Sequence, residues 1–152
     1  GVLHPAVLGL VSLTELRGTS AEPGGVAQGE FMRYLAEAAW YPTALLPSQG
    51  VRWTAMDDNA ATATLNDGTV SATLLFRFDT KSGVIESVRA EARGRTIGKS
   101  VTLTPWEGRW SDYAERDGLR VPMRGEVAWL APEGRRVYWR GEVTALRYET
   151  VP

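Results

Sequence analysis

Apolar and polar residues alternate along most of the chain between Val51 and Tyr148. A period of two is typical of β-strands that bury one face. The pattern predicts seven segments, of which the first two are either a strand pair or one long bent strand. The segments are Val51–Met56, Ala60–Leu65, Thr69–Phe78, Val84–Arg93, Val101–Tyr113, Leu119–Leu130 and Val137–Tyr148.

Short turn sequences join these segments. Hairpin signals occur at Asn66-Asp67-Gly68, Lys81-Ser82-Gly83, Asp117-Gly118 and Pro132-Glu133-Gly134. No helical pattern separates the strands, which argues against a parallel sheet with crossover helices. We therefore predict an α+β, mainly β fold: a strongly bent antiparallel meander of six to seven strands over residues 51–148, shaped as a half-barrel or open barrel, with one main helix packed against it.

The fifth segment departs from simple alternation. Val101 and Leu103 fall on one face, whereas Trp106 and Trp110 fall on the other. Proline and glycine inside a strand mark bulges or bends. A bulge near Pro105–Gly108 is expected to bend the sheet.

The main helix is predicted over residues 29–41, after a loop over residues 19–28 that is rich in glycine and alanine. Glu30 is expected in its first turn, and Pro42 ends it. At 100° per residue, one wide apolar face contains Phe31, Met32, Leu35, Ala36, Ala38 and Ala39.

The first residues hold a short apolar run, Ala6–Leu13, that is too short to span a bilayer. It is predicted to be a buried strand or a short helix, and the opening does not resemble a signal peptide. So early an apolar segment suggests a piece of a longer parent. Residues 6–17 are expected either to pair within the sheet or to exchange with a second copy in a homodimer.

Composition narrows the function classes. The 152 residues are enough for one domain, and 17 basic against 18 acidic residues argue against a nucleic-acid surface. The chain has no cysteine and a single histidine, His4, so no metal site and no cofactor are expected. The sequence contains no basic helix, so membrane binding and membrane insertion are not expected. A soluble protein, cytoplasmic rather than secreted, is the expectation.

Several long motifs resemble an uncharacterised bacterial family, a domain of unknown function. They are GEFMRYLAEAAWYPTALLP from Gly29, TPWEGRWSDY from Thr104, DGLRVPMRGEVAW from Asp117 and YWRGEV from Tyr138. The resemblance covers residues 29–148 and implies no activity and no catalytic residue, because the family has none assigned. It also implies members that are longer at the amino-terminal side. At the level of fold, a bent meander with a covering helix resembles the half-barrel of lipoprotein carriers.

Charged residues form a stripe opposite the apolar face of the helix: Glu30, Arg33 and Glu37, flanked by Tyr34 and Trp40. Two carboxylates on one face could form an acid–base pair if burial separated their pKa values. The alternative is an ordinary ladder of ion pairs. Glu37 is expected to be partly buried and paired with Arg33 or with an arginine of the sheet.

Tryptophan is frequent, with six residues in the chain. Trp106, Trp110 and Asp112 are predicted to share a strand face, with Tyr113 on the other. Asp112 is then an acid with a raised pKa, the cap of a backbone turn or a partner of an arginine. The arginines Arg77, Arg89, Arg93, Arg124 and Arg140 could pair with carboxylates.

All but two of the basic residues are arginines. Arginines stacked on tryptophans would stabilise a curved sheet or recognise an anionic headgroup. High genomic GC content would give the same bias without a physical cause.

These features predict a non-catalytic domain that binds an apolar or amphipathic small molecule in a tryptophan-lined cleft. The alternatives are an assembly domain and a metal-independent hydrolase or isomerase. The candidate ligand-binding residues are Glu30, Arg33, Tyr34, Glu37, Trp40, Trp53, Trp106, Trp110, Asp112, Tyr113, Trp129 and Trp139.

Overall fold

Seven strands follow one another in the same order in the sequence and in space. The computed structural model describes residues 25–148, in which every pair of neighbouring strands is antiparallel. The strands are β1 (Arg52–Asp57), β2 (Ala60–Asp67), β3 (Val70–Phe78), β4 (Ile85–Ile97), β5 (Ser100–Arg116), β6 (Leu119–Ala131) and β7 (Gly134–Glu142). The sheet is curved and does not close, and one helix packs against it, as the sequence predicts.

The helix α1 spans Val26–Glu37, and two short 3-10 helices follow it, Pro42–Leu45 and Pro47–Gln49. It begins three residues before the predicted start, so Glu30 lies in its second turn and not in the first. It ends at Glu37, four residues before the predicted end, so Pro42 does not terminate it. All six residues of the predicted apolar face are buried, although Ala38 and Ala39 lie beyond the end of α1. We call the face of the sheet that meets α1 the helix side, and the opposite face the outer face.

The core lies between α1 and the middle of the sheet. Leu35 is 0% exposed and packs with the helix-side residues Leu74 and Phe76 of β3 and Val88 of β4. The period-two pattern of the third segment is thereby confirmed. Burying these side chains is the main favourable term for a sheet of this size.

Strands β4 and β5 run beyond their other neighbours. Pairing of β3 with β4 stops at Arg89, and pairing of β5 with β6 begins at Trp106. Among the described residues, 93–97 and 100–104 therefore pair only with each other, and we call residues 93–104 the hairpin arm. The sequence pattern left residues 94–100 outside any strand.

The strand irregularity predicted near Pro105–Gly108 has a different form. The register shifts between Ala90 and Arg93 of β4, opposite Pro105, so the extra residue is in β4. Gly108 itself pairs regularly with Val88 and Val127. Val101 and Leu103 lie on the strand face opposite Trp106 and Trp110, although they are apolar. They belong to the hairpin arm, where they are exposed and pack against no core.

The last strand also differs from its prediction: β7 begins at Gly134 and ends at Glu142, whereas Val137–Tyr148 was expected. The predicted segment 6–17 lies outside the described residues. Within residues 25–148, no helix is both long and apolar enough to cross a membrane.

Leu35→Ala is expected to lower the free energy of unfolding by about 2–5 kcal/mol, because it removes buried atoms and leaves a cavity. Thermal or urea unfolding measures the change. Val26→Ala, at a helix position that is 58% exposed, is the control and should change stability little. Equal effects of the two variants would show that α1 does not pack through Leu35.

Candidate functional site

Helix α1 covers only part of the sheet. It packs mainly on β3 and also on β2 and β4. On the helix side of β5, β6 and β7, the partly exposed Trp129, Tyr138 and Trp139 and the buried Trp106 beneath Arg93 form what we call the aromatic surface. Tyr138 is 54% exposed and Trp139 is 43% exposed. Large aromatic side chains exposed together mark binding surfaces more often than isolated ones do.

The aromatic surface has a fixed geometry. The rings of Trp129 and Tyr138 stack, with centroids 5.6 Å apart and planes 19° from parallel. The indole N–H of Trp106 donates a hydrogen bond of 2.8 Å to the hydroxyl of Tyr138. A register shift between Val127 and Ala128 accompanies the placement of Tyr138 on this side of β7. These contacts hold three rings in one orientation.

Two arginines of the hairpin arm lie over this surface. The guanidinium carbon of Arg93 is 4.8 Å from the ring centroid of Trp106, and that of Arg95 is 5.4 Å from the ring centroid of Trp129. Cross-strand partners Thr104 and Thr102 place both arginines on one face of the arm. The predicted arginine–tryptophan stacking is therefore confirmed.

Neither guanidinium has a carboxylate within 4.0 Å among residues 25–148. Arg93 is half-buried, and this burial lowers the pKa of its guanidinium. Tyr138, Glu30 and Glu37 act on that pKa in the opposite direction. Stacking on an indole leaves the edge N–H donors of a guanidinium free for an anion.

The charged stripe of α1 faces this cluster. Arg33 Nε is 2.6 Å from Glu37 Oε1, which confirms the predicted pair, and the carboxylate raises the pKa of Arg33. The Tyr41 hydroxyl donates to the carbonyl of Tyr34, and burial raises the pKa of both phenols. The stripe is thus an ion pair beside the buried Tyr34 and the half-buried Tyr41. Glu30 and Glu37 also act electrostatically on Arg93.

Two predicted tryptophans are structural. Trp40 is buried, and its N–H donates a 2.9 Å hydrogen bond to the Pro122 carbonyl. Its ring meets that of Trp110 edge-on, with centroids 4.7 Å apart. Trp110 in turn lies over Gly125, where an added Cβ would come within 2.4 Å of the ring. Trp40, Trp110 and Gly125 form a packed cluster next to the aromatic surface.

Three predicted site residues lie elsewhere. Trp53 on β1 donates to the Leu45 carbonyl and packs on Phe76 and Phe78, at the opposite edge of the sheet. Tyr113 is half-buried against the core and donates to the Ile85 carbonyl. Asp112 is exposed, with its carboxylate 3.6 Å from Arg124, so the alternative of an arginine partner is the one found.

Comparison with known proteins gives a family but no activity. One family model matches residues 1–148. The chain belongs to the family of unknown function DUF6920. No curated protein and no solved structure matches it. The resemblance to an uncharacterised domain is thereby confirmed, and the site has to be interpreted from its own geometry.

Two site residues of this DUF6920 chain were missed from the sequence, Arg95 and Tyr138. Arg93 was considered only as a partner for carboxylates. Both omissions have one cause: register shifts in β4 and β7 change which residues share a face. The Arg93-Gly94-Arg95 spacing was the available signal, because residues two apart on a strand point to the same side.

The outer face carries a different charge arrangement. A groove of about 610 Å³ lies over β5, β6 and β7. Its arginines are neutralised by carboxylates: Arg109 pairs with Glu107, and Arg140 with Glu126. Arg135 bridges Glu107 and Glu126. Each of these three arginines has a carboxylate partner among the described residues, so none of them offers an unpaired cation to a ligand. Within the described residues, no three side chains of histidine, aspartate or glutamate lie close enough together to hold a metal ion.

Gly125→Ala is expected to destabilise the fold by about 1–3 kcal/mol, since the new methyl group would overlap the Trp110 ring. Gly29→Ala is the matched control: it lies within α1 with no atom within 4 Å of the new Cβ and should stabilise by about 0.5–1 kcal/mol. Urea unfolding followed by tryptophan fluorescence measures both. Changes of the same sign would contradict the packing of Trp110 over Gly125.

The outer ion pairs predict a pH dependence. Hydrogen bonds from Arg135 and Arg140 lower the pKa of Glu126. A carboxylate whose pKa is lowered in the folded state stabilises the protein at pH values above its unfolded-state pKa of about 4.3. This stabilisation is lost as the pH falls through the folded-state pKa. Glu126→Gln should therefore lose up to about 1 kcal/mol at neutral pH and nothing at the acid end.

Unfolding free energies measured between neutral pH and the acid limit test this dependence. Glu133→Gln is the control, because Glu133 has a single exposed partner, Arg136. If the difference between wild type and Glu126→Gln stays constant across this range, the outer network does not set the pKa of Glu126.

Proposed function

We propose that this domain is a non-catalytic binding module for an amphipathic small molecule that carries an anionic group. The apolar part of the ligand lies on the aromatic surface, and its anion meets Arg93 and Arg95. The helix stripe of Glu30, Arg33 and Glu37 borders the site.

One observation carries this proposal: Arg93 and Arg95 stack on indoles without a carboxylate within 4.0 Å among the described residues. Taking a guanidinium out of water without an anionic partner is costly. An anionic ligand would supply the missing partner, and Arg93, whose pKa is lowered by burial, would gain most. The fully paired arginines of the outer face support the same distinction.

The apolar component follows from the neighbouring rings. Trp129 and Tyr138 form one flat stacked unit, and Trp139 lies beside them with 43% of its surface exposed. A hydrocarbon chain that covered these rings would remove apolar surface from water on both partners. Because this surface lies next to the guanidinium groups of Arg93 and Arg95, it favours an amphipathic anion over a purely apolar ligand.

The acid–base alternative has weaker support. Glu37 is held by Arg33 at 2.6 Å, and Asp112 pairs with Arg124 in solvent. Paired-carboxylate hydrolysis needs one acid kept neutral and one carboxylate kept ionised across a substrate. The geometry gives these two carboxylates cationic partners of their own and brings neither to the other.

Titration calorimetry with dodecanoate and with dodecyltrimethylammonium tests the proposal, because the two share a chain length and differ in charge. Wild type should bind dodecanoate at least about tenfold more tightly. Arg93→Gln should weaken dodecanoate binding by roughly 10- to 100-fold, as expected for a lost charge-assisted hydrogen bond.

Arg77→Gln is the matched control. Arg77 is an exposed arginine of β3 that pairs with Asp57, so its loss should leave dodecanoate binding unchanged. If neither amphiphile binds, the proposal is wrong. If both bind equally and Arg93→Gln has no effect, the anionic part of the proposal is wrong and only an apolar surface remains.

A further inference from the structure

The hairpin arm has a composition unlike the rest of the molecule. It carries Arg93, Arg95 and Lys99, and residues 92–106 contain no aspartate or glutamate, although the whole chain has a net charge of -1. Three large apolar side chains of the arm are exposed: Ile97 by 53%, Val101 by 61% and Leu103 by 48%.

These side chains point in two directions. Ile97 pairs with Ser100 and shares its face with Arg95, whereas Val101, which pairs with Thr96, lies on the opposite face with Leu103. The turn between the two strands contains Gly98, with φ +63°, and Lys99. The end of the arm is therefore apolar on both faces and cationic at its tip.

We propose that the tip of the hairpin arm docks on an anionic lipid surface, with Ile97 and Val101 entering the interface and Lys99 among the headgroups. A flat protein partner, or a second copy of this chain, would cover one face of a two-stranded ribbon and leave the other apolar face in water. A lipid interface surrounds the tip and covers both faces at once. Each basic residue near an anionic leaflet adds to the attraction.

The expectation against a membrane partner was based on the absence of a basic helix. Here the cationic and apolar residues are on a hairpin, in which they become neighbours through cross-strand pairing and not through helical spacing. The inference does not depend on the amphiphile site, because Ile97, Lys99 and Val101 make none of its contacts.

Co-sedimentation with vesicles of phosphatidylcholine, with and without phosphatidylglycerol, tests this proposal. Wild type should bind the anionic vesicles more strongly, and added salt should weaken binding. Lys99→Glu should lower the partition coefficient by about tenfold. Lys81→Glu is the matched control, because Lys81 is the other lysine of the chain and lies in the exposed turn between β3 and β4.

The absence of cysteine allows a probe at one chosen position. Val101→Cys and Met56→Cys are each labelled with an environment-sensitive nitrobenzoxadiazole dye; Met56 is equally exposed, at 61%, but lies on β1. Anionic vesicles should shift the emission of the label at 101 to the blue and leave that at 56 unchanged.

Three results would overturn the proposal. They are no binding to anionic vesicles, equal losses in Lys99→Glu and Lys81→Glu, and a blue shift at position 101 without vesicles that grows with protein concentration. The last would show that the arm meets a second copy of the chain. Lys99→Glu should retain wild-type affinity for dodecanoate, so failure here and failure of the amphiphile site are distinguishable.

Discussion

The indole ring of Trp40 connects the helix to the half of the sheet that the helix itself does not cover. It follows α1 directly, donates to the Pro122 carbonyl on β6 and packs edge-on against Trp110 of β5. Trp110 can occupy that place only because position 125 lacks a Cβ. A close approach between one ring and one glycine therefore fixes how α1, β5 and β6 meet, and the aromatic surface begins where this contact ends.

The aromatic residues consequently serve two purposes that composition does not separate. Trp40 and Trp110 are buried and hold elements together, whereas Trp129 and Tyr138 stack near solvent under the arginines of the arm. Tryptophan suits both roles, because it combines a large apolar area with one N–H donor. What distinguishes the two groups is burial, because Trp40 and Trp110 pack against each other beyond α1, and that is a property of the assembled fold.

Alternation and turn residues were sufficient to predict the order and direction of the strands, since each turn fixes an antiparallel neighbour. They were insufficient for the hairpin arm, because residues 93–104 bury no face against a core and so show no apolar alternation. The candidate site was predicted in part. Trp106, Trp129 and the helix stripe were identified, but Arg95 and Tyr138 lie next to register shifts, which strict alternation cannot locate.

Arginine side chains have different partners on the two faces of the sheet. On the outer face, Arg135 bridges two glutamates, and its neighbours Arg109 and Arg140 are paired with the same two carboxylates. On the helix side, Arg93 and Arg95 lie on indoles instead, with acidic residues absent from the whole arm. A near-zero net charge thus hides a difference between the faces: arginines paired with carboxylates on one, and arginines stacked on indoles on the other. Selection for stability alone would favour a carboxylate beside a half-buried guanidinium, and its absence among the described residues is a local departure of the kind that functional sites show.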